Sequence, residues 1–312
     1  MQEFFGSVLT VGSQVLALFV MMAFGFVMCK TKLVDKKGID QMTDVLLWTV
    51  TPCLLIETFY GCRDTGAGAS LMIFAACAAA SMLIPLLITL LMYRGQNEND
   101  RPVMRFGTVF SNCGFMGLPL AQAVFGAEGV MYASIFVAVF MLLQWTAGYA
   151  LMSDKGTSIK KALLNPGVIG FAVSLPLLFL PFSLPEGVLY PIKTLASMNT
   201  PLAMVVIGAK LACADLKKAF SDGRVYLVSF LRLLVVPAAV IAALVFIPVE
   251  LSDTAKLVLV IEAAAPTAAT TALISAMTNR NSELGSGTVA VTTLISSITL
   301  PMVSAIAKIF LI

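Results

Sequence analysis

Apolar runs of about 20 residues recur from one end of the chain to the other. About 20 residues, rising roughly 1.5 Å each as a helix, cover the ~30 Å hydrocarbon layer of a bilayer. No water reaches that layer, so each backbone N–H and C=O must find its partner within protein, and packed helices are the available solution. Ten spans are predicted, at residues 4–28, 39–60, 68–93, 103–125, 129–152, 165–182, 187–211, 224–247, 255–277 and 286–310. The composition agrees: 59% of the 312 residues are hydrophobic, 12% are charged, and the mean hydropathy is +0.95. A soluble chain of this length needs more polar surface. The expected fold class is an all-α integral membrane protein. Its first run has no basic start and no small-residue cleavage site, so it reads as a span rather than a removed leader.

The basic residues orient these spans. Loops that follow odd-numbered spans hold Lys30, Lys32, Lys36, Lys37, Arg94, Arg101, Arg105, Lys155, Lys160, Lys161, Lys210, Lys217, Lys218, Arg224 and Arg280. The opposite side holds only Arg63, Lys193, Lys256 and Lys308. By the positive-inside rule the first group is cytoplasmic, which makes this a multi-pass cell-membrane protein with both termini outside. A count one span higher or lower would mix the two groups. Asp40 and Asp44 read as charges that complement the N-terminal dipole of span 2.

Several functions are excluded. The sequence has no histidine, which removes histidine proton relays and His-based metal sites. Its six cysteines form no C-x-x-C pair, so no disulfide framework or redox role is implied. There is no nucleophile–base pair and no phosphate-binding G-x-x-x-x-G-K-[ST] loop, so neither an enzyme nor an ATP-driven pump is expected. No organic cofactor, metal or nucleic-acid partner is expected either.

Prolines at membrane depth recur at a nearly constant offset. Pro52 pairs with Pro201 at 149 residues, Pro85 with Pro237 at 152, and Pro119 with Pro266 at 147. Each proline removes a backbone donor and strains the preceding turn. Three pairs in register suggest duplication, with one five-span unit over residues 1–152 and a second over 153–312. Five is an odd number, so the second unit must insert upside down, which is a transporter architecture.

Spans 4 and 9 are the most interrupted. "SNCGFMGLPL", 111–120, carries Asn112, Gly114, Gly117 and Pro119, and "IEAAAPTAATTA", 261–272, carries Pro266, Thr267, Thr270 and Thr271 among small residues. Interrupted backbone at this depth is tolerated only inside protein or beside a watery cavity. Two broken helices at matching positions of inverted halves point to a substrate site. Their half-helix N-termini offer free N–H groups and partial positive charge, which favour a small carboxylate. The expected substrate-binding set is Asn112, Gly114, Pro119, Pro266, Thr267 and Thr270. The competing readings are a helix–helix hydrogen bond for Asn112 and intrahelical bonding for the threonines. Glu262, one turn before Pro266, reads as coupling an ion, either a proton or Na⁺, or as making a structural hydrogen bond to a broken-helix amide. Arg232 attracts the anion, pairs with a carboxylate, or snorkels. Gln144 and Trp145 read as a polar packing contact.

"SNCGFMGLPL" resembles the asparagine-glycine-proline crossover of the auxin efflux carrier family, which includes PIN-type carriers and bacterial malate or malonate permeases. "AAAPTAATTA" is similar to the second crossover, and the resemblance extends over essentially the whole chain. It implies a scaffold of spans 1, 2, 6 and 7, homodimeric through spans 2 and 7. It also implies a mobile transport domain of spans 3–5 and 8–10, with spans 4 and 9 crossing. Asn112 and Pro119 map to the first crossover and Pro266 to the second. Where some members carry an asparagine before that proline, this chain has Ala265. The implied function is secondary carriage of small organic anions, dicarboxylates or auxin-like carboxylates, by an elevator-type motion. The alternatives are a Na⁺-coupled symporter of the bile-acid type and a membrane sensor that does not transport.

Overall fold

The computed structural model describes residues 2–61, 68–153, 166–179 and 183–312. Cys62, Arg63, Lys155, Lys160 and Lys161 lie outside the described residues, as do all of residues 154–165, which follow the join expected at 152/153. The described residues form helices joined by turns and short irregular stretches, with no strand beyond one isolated bridge. The helices are α1 (Gln2–Lys30), α2 (Lys36–Gly61), α3 (Gly68–Met92) and α4 (Arg101–Val109). Next come α5 (113–125), α6 (127–152) and α7 (166–179), then α8 (Glu186–Cys213) and α9 (Gly223–Phe246). The chain closes with α10 (Asp253–Ala264), α11 (Thr270–Met277) and α12 (Ser282–Leu311).

Seven segments among the described residues are long and apolar enough to cross a membrane. One of them, Cys113–Met152, has 40 residues, about twice what a bilayer needs. It is a hairpin. Gly126 takes φ 61° and ψ −140°, outside helical geometry. A methyl group placed on Gly114 would lie 4.0 Å from Val137, although a straight helix at about 1.5 Å per residue would hold those positions roughly 35 Å apart. A methyl on Gly129 would press on the carbonyl of Ala121, so α5 and α6 fold tightly back on each other. The chain therefore reverses at a glycine because only glycine adopts that backbone without strain.

Three membrane-depth prolines follow wide π-turns. Leu46–Val50 precedes Pro52, Cys113–Gly117 precedes Pro119, and Leu231–Val235 precedes Pro237. Proline lacks an N–H and clashes with the carbonyl four residues back, and a widened turn relieves both problems. Pro85 sits inside the uninterrupted α3, so it and Pro237, paired by offset, take different local forms.

The bundle is apolar outside and partly polar inside. Phe24, Leu87, Phe246 and Phe310 are exposed on the periphery, while Thr271, Ser275, Thr288, Thr292 and Ser296 are buried. That inversion suits a lipid surround, where small polar residues allow close helix packing. The interior aromatic cluster joins Phe106 to Phe110 at 4.5 Å and Phe110 to Phe140 at 5.7 Å between ring centroids.

Candidate functional site

The two interrupted spans meet at their gaps. Ser111 and Thr267 form an antiparallel bridge. The N–H of Asn112 donates to the carbonyl of Pro266 at 2.6 Å, and the N–H of Ala268 donates to the carbonyl of Phe110 at 2.9 Å. Backbone groups left over by each broken helix are thus satisfied by the other. The first gap is Phe110–Asn112, and Pro119 lies further along in α5, not at the gap. Pro266 is in the second gap itself, 265–269.

Arg232 holds the incoming halves together. It is only 1% exposed and comes from the π-turn of α9. Its guanidinium donates to the carbonyl of Thr108 at 3.0 Å and of Val109 at 3.4 Å, at the C-terminus of α4. It also donates to the carbonyls of Ala265 at 3.0 Å and of Ala263, at the C-terminus of α10. Both helix ends carry partial negative charge and orphan carbonyls, and one planar fork serves both. The side chain turns inward, not toward the surface, and its donors are committed to backbone.

Beyond the gaps lies a cavity that is open on one side. Ser111, Asn112, Gly114 and Phe115 wall one side, and Ala268, Ala269 and Thr270 continue that wall. Leu46, Leu47 and Thr51 of α2 and Asn199 of α8 face them, and Val137, Phe140 and Met141 of α6 close the space. The N-terminal ends of α5 and α11 therefore both border it. Of the expected binding residues, Asn112, Gly114 and Thr270 line this cavity. Thr267 serves the gap instead: its hydroxyl donates to the carbonyl of Gly107 at 2.8 Å and its N–H donates to Thr292 Oγ1 at 3.1 Å.

Two carboxamides, Asn112 and Asn199, line the space with unused donors, and a third, Gln144, sits behind the lining residue Thr270. Asn112, Gln144 and Asn199 are each at most 3% exposed, and none of their side-chain NH₂ groups has a hydrogen-bond partner among the described residues. Thr51 Oγ1 donates to the Asn199 oxygen at 3.1 Å, and Thr270 Oγ1 donates to the Gln144 oxygen at 2.8 Å. Both oxygens are thereby used, and the amide hydrogens stay available. The sequence alone does not single out Asn199 or Thr51, and it assigns Gln144 a packing contact. A carboxamide inside an apolar run is nevertheless a signal, since it is expensive without a partner.

Glu262 is fully buried in α10, and neither carboxyl oxygen has a hydrogen-bond partner among the described residues. It packs on Gly117, where a Cβ would collide with the carboxyl group. No cluster of three or more metal-ligating side chains occurs among the described residues.

The family model described as "Membrane transport protein" matches residues 10–162 and 155–304. An uncharacterized transporter of Methanothermobacter thermautotrophicus is 26% identical over 302 residues, covering 94% of this chain and 97% of the relative. An uncharacterized transporter of Methanocaldococcus jannaschii is 29% identical over 198 residues, covering 61% and 63%. With apolar helices crossing repeatedly and a family match over nearly all its length, the chain is a multi-pass membrane protein of the auxin efflux carrier family of membrane transport proteins.

Proposed function

We propose that this protein is a secondary carrier of small organic anions, and that it binds a carboxylate in the cavity beside the crossed gaps. The observation that carries this reading is the pair of unused amide donors, on Asn112 and Asn199, that line the cavity. Buried N–H groups without partners favour an acceptor-rich guest. Apart from the hydroxyls of Thr51, Ser111 and Thr270, the remaining lining is apolar and includes no cationic side chain. That lining suits a single carboxylate on an apolar body better than two charges.

In this reading ten spans form two inverted repeats, 1–152 and 153–312, with α4–α5 and α10–α11 as the broken fourth and ninth. The scaffold is α1, α2, α7 and α8, dimeric through α2 and α8. The moving body is α3–α6 with α9–α12. The cavity draws residues from both groups, as an elevator mechanism requires at the start of its stroke. Glu262 is the coupling group, binding a proton or Na⁺ as the anion travels.

The test is uptake into proteoliposomes of a radiolabelled aromatic or branched monocarboxylate beside a dicarboxylate. Wild type should take up the monocarboxylate, and Asn112→Ala and Asn199→Ala should each raise KM about tenfold, the worth of one hydrogen bond to a charged group. Uptake of neither anion under any proton or Na⁺ gradient would remove the assignment.

A further inference from the structure

We propose that Lys210 is the residue that selects for negative charge, receiving the carboxylate beside the Phe115 wall of the cavity. The inference rests on the carrier reading above and names a contact that reading lacks. The cavity lining has no cation, and Arg232, buried nearby, has its guanidinium occupied by backbone carbonyls. Lys210 is half-buried near the end of α8, the helix that also supplies Asn199. Its ammonium lies 5.6 Å above the ring centroid of Phe115, and Phe115 is part of the cavity wall beside Asn112 and Gly114. One aromatic ring therefore separates this cation from the amide donors.

The other charges that act on Lys210 are Asp40 and Asp44 of α2, both exposed. No hydrogen bond or salt bridge ties Lys210 to either of them among the described residues. A lysine attracted by two acids yet bonded to neither has its three N–H donors available. A cation over an aromatic face is stabilised without using any of them. An arriving carboxylate can accept from the ammonium in competition with the two aspartates and then pass the Phe115 edge toward Asn112. Lys210 stands on the proposed scaffold and Phe115 on the proposed moving body. A stroke that carried the site away would leave the ammonium behind and free the anion from it.

A purely structural role for Lys210 would leave substrate charge selection unchanged. The experiment measures initial uptake rates of the carboxylate in proteoliposomes for wild type, Lys210→Gln, Lys210→Arg and the Asp40→Asn/Asp44→Asn double variant. Thermal unfolding in detergent verifies that each is folded. Expected results are a KM raised about tenfold in Lys210→Gln with little change in kcat, recovery of most of that loss in Lys210→Arg, and a lowered KM in the double variant. A folded Lys210→Gln with wild-type KM overturns the proposal, as does a double variant that leaves KM unmoved. Failure of wild type to take up any carboxylate would strike the carrier reading instead, so the two failures are distinguishable. If Lys210→Gln does not fold, the double variant alone decides.

Discussion

Asn112 and Pro266 are joined backbone to backbone by a 2.6 Å hydrogen bond, and Ser111 and Thr267 are bridged beside it. A helix broken inside a membrane leaves N–H and C=O groups that hydrocarbon cannot satisfy. Here each gap supplies the other's missing partners. The crossing is therefore one structural unit built from two distant stretches of chain, and a change at either gap is felt at both.

Arg232 closes this unit from the C-terminal side. Arg232→Met would leave the carbonyls of Thr108, Val109, Ala263 and Ala265 without their donor. Each buried unsatisfied group costs roughly 1–3 kcal/mol, and partial relaxation keeps the sum below simple addition. A loss of about 3–5 kcal/mol is expected, with a clear fall in melting temperature in detergent. Arg232→Lys keeps the charge without the planar fork and should recover less than half of that loss. A melting temperature within a degree or two of wild type for Arg232→Met would contradict the capping role.

Much of this was legible in the sequence, and the remainder has physical reasons for being hidden. Asn112, Gly114 and Pro266 announced two broken spans because polar and helix-breaking residues are costly at membrane depth. The location of the first break was not legible. Pro119 is the stronger breaker, yet the π-turn at Cys113–Gly117 absorbs its missing N–H and moves the gap to Phe110–Asn112. Arg232 was visibly anomalous inside an apolar run. Its partners are backbone carbonyls, which carry no sequence signature. Asn199 sits in the middle of the predicted span 187–211, but its partner Thr51 lies 148 residues away in the other half, a pairing that the sequence does not display.

Glu262 yields a prediction about stability as well as transport. A buried carboxylate without partners is costly to carry as an anion, and glutamine has the same shape without the charge. Glu262→Gln should therefore fold at least as stably as wild type, unlike most changes at a fully buried position. Its uptake should no longer depend on a proton or Na⁺ gradient. Gly117→Ala places a methyl group against the same carboxyl and must push it aside, at about 1–3 kcal/mol. If Na⁺ sits there, it should raise the melting temperature of wild type and leave that of Glu262→Gln unchanged. A Glu262→Gln variant that unfolds, or that keeps its gradient dependence, would argue against a coupling role.

The α1–α8 contact depends on two glycines. A Cβ on Gly25 would overlap the backbone of Val205, and one on Gly208 would overlap the backbone of Met22. Such close backbone approach is how small residues bind membrane helices together. The same contact brings Cys29 Sγ to 3.2 Å from Cys213 Sγ. Gly208→Val must drive the helices apart, because backbone cannot yield as a side chain does. Destabilisation of roughly 1–3 kcal/mol is expected. Crosslinking of Cys29 to Cys213 by a mild oxidant such as diamide should also slow in that variant, and unchanged crosslinking would show that the helices had not separated.

At the start of α9, Asp222 accepts from the Arg224 backbone N–H at 2.9 Å and from its guanidinium Nε at 2.9 and 3.1 Å. The guanidinium hydrogen bond holds the Asp222 carboxyl below the usual carboxylate range. A depressed folded-state pKa means that this contribution is complete above the unfolded value, near pH 4, and is lost as pH falls through the folded value. Arg224 also pairs with Asp100, which is nearly buried and accepts from Asn281 at 2.7 Å, so the pair belongs to a cluster joining the starts of α4, α9 and α12. The Arg224 side chain is 36% exposed, and solvent screening limits the Asp222 pair to under about 1 kcal/mol. Asp222→Asn keeps a capping oxygen and removes the charge. It should lower the melting temperature slightly at pH 7 and show a smaller further drop than wild type between pH 5 and pH 3. Parallel melting curves for the two proteins across that range would place the acid sensitivity elsewhere.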